Sequence, residues 1–314
     1  MSRNPWAAYW AKGGEGAGGT AGSGGRPGSG GRPGSGCLPQ AEATIAPVLE
    51  LVWRDFAAAL KPKARVIDLA TGDGAVLRRL KAARPRLELT GVDSAPALPP
   101  APAGIRLKAG VAMEQLPYGD GAFDAATSQF GVEYGAPEGI AAELARVLKV
   151  GAMVRFVVHH KASQVVAHNA ARRRALAWAA AESGLIDKAR RLAQARAAAA
   201  LPTPAAFRDA IGEAKRRFPD QPVAAEFAAG IVQALDLGRV RPPRETIARL
   251  DLLSARAADE IGRIAALEAA ACDAARIGAM AAAFAGRGIG FGAPAVLEEQ
   301  GGGPFAWLLA GSRG

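Results

Sequence analysis

A chain of 314 residues, half of them hydrophobic, is long enough to bury a core in one large domain or in a domain with an insertion. Its formal net charge of +10 suits a polyanionic partner, and a GC-biased genome that favours arginine accounts equally well for the surplus. The two cysteines, Cys37 and Cys272, are too few and too far apart for a disulfide framework or a metal site, which excludes a disulfide-stapled secreted domain and predicts a cytoplasmic protein without a membrane span.

The first forty residues have the composition of a linker. From Gly13 to Gly36 nearly every residue is Gly, Ser, Pro or Arg, and the hexad Gly-Ser-Gly-Gly-Arg-Pro occurs twice in succession. Such a segment cannot bury enough apolar surface to offset the entropy lost on ordering. We therefore predict that residues 1–40 form a flexible tether.

Alternating helices and strands follow the tether. The apolar spacing predicts helices over 45–60, 75–83 and 139–148, and strands over 64–70, 87–92, 105–109, 123–130 and 153–158. Strands that alternate with helices in this way form a parallel sheet that is covered on both faces. Residues 41–160 are thus expected to form an α/β core.

The alternation stops after His160. From 162 to 284 the pattern is helical, and strand-like patterns return at 290–297 and 304–310. We expect an α/β fold, a Rossmann-like doubly wound sheet of seven strands, with residues 161–285 as a large all-α insertion between strands five and six and residues 286–314 as the terminal strands. The insertion is placed to cover an acceptor site or to form a homodimer contact, and a plain scaffold is the alternative.

One motif carries the functional prediction. The apolar run from Val66 to Leu69 leads into a turn with Gly72 and Gly74 and then into a helix, which lets a ligand approach the strand end and the helix N-terminus. Some twenty residues later the second strand ends in Asp93, whose carboxylate is placed to accept hydrogen bonds from ribose hydroxyls.

With this motif, the chain resembles the class I methyltransferases that use S-adenosylmethionine (SAM), in particular the methyltransferase type 11 domain and the ubiquinone and menaquinone biosynthesis branch. The segments that carry the resemblance are 68–74, 116–124, 128–131 and 143–151. It implies SAM as the cofactor, with Asp68, Ala70, Thr71, Gly72 and Gly74 at its methionine end. It also implies Asp93 and Ser94 at the ribose, Ala112 and Met113 at the adenine, and Gln129 in the loop after strand four. Ala112 stands where the family often has an acidic residue.

Methyl transfer from SAM is a direct displacement, so the protein mainly has to align donor and acceptor and exclude water. A base is needed only when the acceptor loses a proton, and His159 and His160, at the end of strand five, are the candidates. Successive strand residues point to opposite faces, so at most one of the two faces the site. Both being structural, or capping the next helix, is the alternative.

Three further residues are candidates for the acceptor pocket: Glu133 and Tyr134, for which a simple loop role is the alternative, and His168, for which a surface position is the alternative. No set of metal ligands is predicted. We expect a small-molecule acceptor. The basic charge leaves open an RNA or other polyanion acceptor, although no appended RNA-binding module is visible. A SAM-binding protein without catalysis stays open, and a nicotinamide-dependent oxidoreductase is disfavoured because no Tyr-x-x-x-Lys pair is present.

Overall fold

The computed structural model describes Tyr9 and residues 42–314. The predicted tether at residues 1–40, apart from Tyr9, and Cys37 lie outside the described residues. The described helices are α1 (Glu42–Ala59), α2 (Ala75–Ala83), α3 (Pro137–Val147), α4 (Gln164–Ala177), α5 (Leu185–Ala195), α6 (Ala205–Arg217), α7 (Val223–Leu237), α8 (Pro243–Ala270) and α9 (Ala274–Ala285). The strands are β1 (Arg65–Leu69), β2 (Glu88–Val92), β3 (Ile105–Lys108), β4 (Phe123–Gln129), β5 (Leu148–His159), β6 (Ile289–Phe291), β7 (Ala295–Glu298) and β8 (Pro304–Arg313).

All these strands belong to one sheet, in the order β3-β2-β1-β4-β5-β8-β6, with β7 also paired to β8. The pairs among β1 to β5 are parallel, whereas β8 is antiparallel to β5, β6 and β7. The carboxyl ends of β1, β2, β4 and β5 therefore meet along one edge of the sheet. Ligands bind at this edge in open α/β sheets, close to the point where the strand order reverses.

The strand count corrects the sequence prediction, because the described sheet has eight strands and not seven. The run predicted at 290–297 is split into β6, which pairs with the end of β8, and β7, which pairs with its beginning. Gly292, Ala293 and Pro294 separate the two. Pro294 has no N–H to donate to a strand ladder, so the pairing is interrupted there.

Helices cover both faces of the sheet, as predicted for a doubly wound fold. On one face, α3 and α9 bury a set of apolar side chains that includes Ile140, Leu144, Ile277 and Phe284. On the other, α1 and α2 bury Ile45, Trp53, Phe56, Leu77 and Leu80. Burying each large apolar side chain stabilises the fold by about 1.5–3 kcal/mol, so these two layers are the main source of stability of the sheet.

The described chain divides into two compact units, one containing residues up to Val166 together with Ala269–Gly314, and a second, helical unit of Ala167–Glu268. The boundary differs from the interpretation of 161–285 as one helical block, because α9 packs on the sheet of the first unit. The helical structure is interrupted between α8 and α9, and Asp273 caps the start of α9, where its carboxylate accepts a hydrogen bond from the amide of Arg276. This capping residue interrupts the helical pattern that the sequence shows over 162–284.

The helical unit has its own apolar core and its own ion pairs. In the core, Trp178, Leu185, Phe207 and Leu250 are all buried. Two of the clustered arginines are paired: Arg172 Nε lies 2.6 Å from Glu260 Oε1, and Arg173 Nε lies 2.6 Å from Glu268 Oε1. Over the described residues, helices that combine the length and the apolarity needed to span a bilayer are absent.

Candidate functional site

The link between β1 and α2 is a tight turn at the carboxyl edge of the sheet. Gly72 and Gly74 have φ angles of 52° and 77°, a region that glycine adopts without the steric cost of a side chain. The amide of Thr71 donates to the carbonyl of Val92 at 2.9 Å, which ties the turn to the end of β2. The turn is thus held open at the place where the motif predicts the ligand.

Asp73 fixes the exit of this turn into α2. One carboxylate oxygen accepts a hydrogen bond from the amide of Ala75 at 3.1 Å, and the other lies 2.7 Å from Nη2 of Arg78. An acidic side chain that accepts amide hydrogens at a helix start satisfies donors that the helix itself leaves without partners. Asp73 therefore shapes the turn, although the sequence interpretation did not include it among the site residues.

Asp93, directly after β2, links the end of this strand to the turn after β1. Its Oδ2 accepts the amide of Gly72 at 3.0 Å, and its Oδ1 accepts the amide of Ala95 at 2.9 Å. Burial raises the pKa of Asp93, and these two amide donors partly offset the rise. Ser94, the neighbouring candidate, is exposed.

Asp68 is a buried carboxyl group below the turn, with only 1% of its surface exposed. The hydroxyl of Thr127 on β4 donates to its Oδ1 at 2.8 Å. Burial raises the pKa of Asp68 to about 7; the Thr71 and Thr127 hydroxyls oppose the rise, and the charges of Asp93 and Asp73 add to it. Three carboxyl groups thus surround one turn, and those of Asp73 and Asp93 make the local potential negative and suited to a cationic ligand.

Two residues without glycine's freedom have a left-handed backbone at this edge. Ala70 follows β1 with φ of 51°, and Phe130 follows β4 with φ of 56°. The next residue, Gly131, has no room for a side chain, because an added Cβ would lie 2.4 Å from the Cβ of Ala70. Ser128 secures the same contact, since its hydroxyl donates to the carbonyl of Leu69 at 3.0 Å. Strained backbone of this kind concentrates at functional sites.

The two residues predicted for the adenine end, Ala112 and Met113, have different surroundings in the structure. Ala112 is exposed, whereas Met113 is 9% exposed and packs into the core against the α3 face. The carboxylate of Glu114 accepts the amide of Ala136 at the start of α3. Met113 is therefore part of the core, and the Glu114 carboxylate is engaged at the start of α3.

Gln129, at the end of β4, has a partner in α1. Its Oε1 accepts a hydrogen bond from the indole Nε1 of Trp53 at 2.7 Å. Trp53 is fully buried, so this contact anchors α1 over the carboxyl end of β4. The side-chain oxygen of Gln129 is thus engaged in the fold.

The ends of β4 and β5 hold a buried acid–histidine pair. Nδ1 of His159 lies 2.8 Å from Oε1 of Glu133, and the same oxygen accepts the main-chain amide of His159 at 3.0 Å. The His159 ring stacks on Phe130 with centroids 4.2 Å apart, and Tyr134 approaches it edge-on. Two atoms of the pair, Nε2 of His159 and Oε2 of Glu133, are buried without a hydrogen-bond partner.

The other two histidines have different surroundings. His160 stacks on Trp307 with centroids 4.7 Å apart, its Nδ1 accepts the amide of Ala162, and burial lowers its pKa. His168 belongs to the helical unit, where its Nδ1 lies 3.5 Å from Nε2 of Gln221. In the described part of the chain, His, Cys, Asp and Glu side chains form no group that could hold a metal ion.

The structure therefore brings the glycine turn, Asp68 and Asp93 together, and places Glu133 and His159 in direct contact. Sequence reasoning missed four residues that build this edge: Asp73, Thr127, Phe130 and Gly131. Asp73 could have been found from its place before a helix start, and Gly131 from its place after a strand. The pairing of Thr127 with Asp68 spans 59 positions and leaves no local signal.

The segment 67–156 matches the model of a family described as a methyltransferase domain. The match covers less than half of the chain, includes the turn, Asp68, Asp93 and Glu133, and ends three residues before His159. The match supports a class I SAM-dependent methyltransferase and implies SAM as the cofactor. It does not distinguish the ubiquinone-related branch from other methyltransferases. No curated protein matches this sequence.

Among solved structures, a Haloferax volcanii methyltransferase in complex with the Trm112 activator is similar at 22% identity and TM-score 0.31, over 41% of this chain and 63% of that one. Geranyl diphosphate C-methyltransferase from Streptomyces coelicolor A3(2) is 16% identical with TM-score 0.32, over 37% and 47% of the two chains. Phosphoethanolamine N-methyltransferase 2 from Haemonchus contortus is 15% identical with TM-score 0.31, over 37% and 28%. Each alignment spans less than two thirds of the other chain.

Proposed function

We propose that this chain is a SAM-dependent methyltransferase that transfers a methyl group to a small-molecule acceptor. One observation carries the proposal: the Asp93 carboxylate is tied to the Gly72 amide beside the buried Asp68, and all three lie inside the segment that matches a methyltransferase domain. The arrangement provides a turn for the ligand backbone, an acceptor for hydroxyl groups and a negative potential.

The residues present fit this cofactor. The carboxylates of Asp73 and Asp93 suit a cationic ligand, and each oxygen of Asp93 has accepted one amide hydrogen, which leaves capacity for ribose hydroxyls. The Thr71 hydroxyl is buried at the same turn, next to the Asp68 carboxyl group. When bound, SAM supplies a methyl group on a sulfonium, which is transferred by direct displacement. The protein's own task is alignment and exclusion of water.

Several finer statements belong to this proposal. We assign Ala70, Thr71, Gly72 and Gly74 to the methionine end, Ser94 to the ribose, Ala112 and Met113 to the adenine side, and Gln129 to a cofactor contact after strand four, on the strength of the family resemblance. A quinone-related acceptor, a homodimer, a cytoplasmic location and a covering role for the helical unit remain predictions from the sequence.

The experiment is a calorimetric titration of the full chain with S-adenosylhomocysteine. We expect saturable binding, and a loss of affinity on the order of 100-fold in Asp93→Asn, because the variant loses charge-assisted hydrogen bonds. The matched control is Asp209→Asn, an exposed carboxylate of the helical unit, which should bind as the wild type does. Absence of saturable binding to the wild-type protein, or equal affinity in the two variants, would refute the proposal.

A further inference from the structure

The Glu133–His159 pair stands out because it combines burial with unused hydrogen-bonding capacity. The two side chains are 0% and 2% exposed. A buried polar atom without a partner costs about 1–3 kcal/mol, so two of them in one pair call for an explanation. A site that meets a ligand's polar group supplies such an explanation.

The contacts assign the hydrogen on the His159 ring. Glu133 Oε1 accepts the His159 main-chain amide, and a carboxylate oxygen that accepts one hydrogen also accepts a second from Nδ1. With Nδ1 as the donor, a neutral imidazole carries its lone pair on Nε2. Nε2 is the ring atom that has no partner.

Charged and titratable groups around the pair come from several elements. Arg276, in α9, donates to the main-chain oxygen of Glu133 at 3.3 Å. Burial raises the pKa of the Cys272 thiol to about 11, the charge of Glu133 adds to the rise, and Arg276 opposes it. Asp273 is exposed and paired with Lys161, and Tyr134 lies edge-on to the ring. These surroundings leave the thiol neutral and place the Arg276 guanidinium against the Glu133 main chain.

The position of the pair connects it to the glycine turn. Phe130, on which His159 stacks, precedes Gly131, and Gly131 packs against Ala70 at the start of that turn. β4 lies between β1 and β5 in the sheet, and neighbouring strands are about 4.8 Å apart. The ends of β1 and β5 are thus roughly 10 Å apart, two strand spacings. This separation leaves room for a methyl acceptor between His159 and a methyl donor at the glycine turn.

We propose that His159 is the general base of methyl transfer and that Glu133 is its positioning residue, which restricts acceptors to molecules whose nucleophilic atom gives up a proton, such as a hydroxyl group. This inference rests on the proposed function. As the acceptor atom bonds to the methyl carbon, the carbon–sulfur bond breaks and sulfur keeps the electron pair. The acceptor's proton moves to Nε2 of His159, and the imidazolium is balanced by Glu133 and later returns its proton to water. His160 is not used, because its ring packs on Trp307.

The first test reads the ring directly and needs no acceptor. The full chain contains three histidines, so a sample labelled with ¹⁵N only in histidine gives three resolvable ring systems. With S-adenosylhomocysteine present at neutral pH, we expect His159 to have a protonated Nδ1 and an unprotonated Nε2, while His160 and His168 serve as internal references. A protonated Nε2 in His159, in either the other tautomer or the imidazolium, would overturn the proposal.

The second test separates positioning from structure. Glu133→Gln keeps an oxygen that can accept from Nδ1, so the tautomer should persist, whereas Glu133→Leu should lose the fixed tautomer. His159→Gln should bind S-adenosylhomocysteine within about threefold of the wild type. A tautomer unchanged in Glu133→Leu would remove Glu133 from its proposed role.

The third test uses a panel of simple phenols and alcohols, which carry a proton on the nucleophilic atom, beside tertiary amines and thioethers, which do not. We expect S-adenosylhomocysteine release only with the former, and a decrease of about 100-fold or more in His159→Gln. Equal turnover of a proton-bearing acceptor by wild type and His159→Gln would overturn the base role, and turnover of a proton-free acceptor would overturn the restriction on acceptors. If no panel member is methylated, the NMR result decides. Failure of the titration described above would instead refute cofactor binding.

Discussion

At the turn after β1, the carboxylates of Asp73 and Asp93 are each satisfied by amide or guanidinium donors, whereas the pair at the ends of β4 and β5 keeps two buried atoms without partners. The turn is therefore preorganised before any ligand arrives. The acid–histidine pair retains capacity that a ligand can use. Rigid positioning at one end of a site and unused hydrogen-bonding capacity at the other are what alignment of two reactants requires.

Asp68 is the exception within the turn, because its buried carboxyl group is met by the hydroxyls of Thr127 and Thr71 and not by charged or amide donors. We expect the largest stability effect there. With a pKa of about 7 in the folded protein and 3.8 as its usual value, Asp68 holds a proton in the folded state that the unfolded chain releases. The free energy of unfolding should therefore fall as pH rises from about 4 to 7, by up to about 4 kcal/mol from this group, and level off above 7.

The measurement is chemical denaturation of the wild type and Asp68→Asn at several pH values from 4 to 8. The variant lacks the titrating group, so its advantage over the wild type should grow with pH across that window. Taking the difference between the two proteins cancels the opposite contributions of Asp124 and Asp273, whose pKa values are lowered. A difference that does not change with pH would show that Asp68 is ionised in the folded protein.

The contact between Gly131 and Ala70 joins the two ends of the site, and it can be tested by overpacking. In Gly131→Ala the added methyl would lie 2.4 Å from the Cβ of Ala70, so we expect a loss of about 3 kcal/mol. The φ of −143° at Gly131 lies outside the left-handed region, so we attribute the cost to the contact. Gly119→Ala is the matched control, because nothing lies within 4 Å of the added Cβ there.

A double-mutant cycle then identifies the partner. Ala70→Gly removes the methyl group that the new side chain would meet, so the double variant should recover most of the stability lost in Gly131→Ala. Additive losses in the cycle would place the obstruction elsewhere, such as at Ser128, whose hydroxyl would lie 3.1 Å from the added atom.

Substitutions at Thr127 test how much its hydrogen bond to the buried Asp68 carboxyl group stabilises the protein. Thr127→Val keeps the shape and removes the hydrogen bond to Asp68, so we expect a loss of about 2 kcal/mol and a further rise in the pKa of Asp68. Thr127→Ser keeps the hydroxyl and should retain the pH dependence of the wild type. Unchanged stability in Thr127→Val would show that the hydrogen bond to Asp68 does not stabilise the fold.

How much of this could be predicted from the sequence depends on how local each signal is. A short apolar run predicts the strand before the turn, and the two glycines predict a turn with left-handed backbone. A spacing of about twenty residues predicts the place of Asp93. The contact of Glu133 with His159 required the fold, because the pattern identified both residues and could not show that they touch. Met113 and Gln129 have core and helix partners that only tertiary packing reveals.

Backbone strain at Ala70 is the smallest and most local of these effects. An L-residue with φ of 51° costs about 1 kcal/mol relative to glycine, so Ala70→Gly should stabilise the protein by about that amount. Ala75→Gly, at the first position of α2, is the control and should destabilise, because glycine weakens a helix. Denaturant midpoints of both variants give the comparison. Were Ala70→Gly destabilising instead, the methyl packed against Gly131 would outweigh the strain, and the two ends of the site would be held together by that contact.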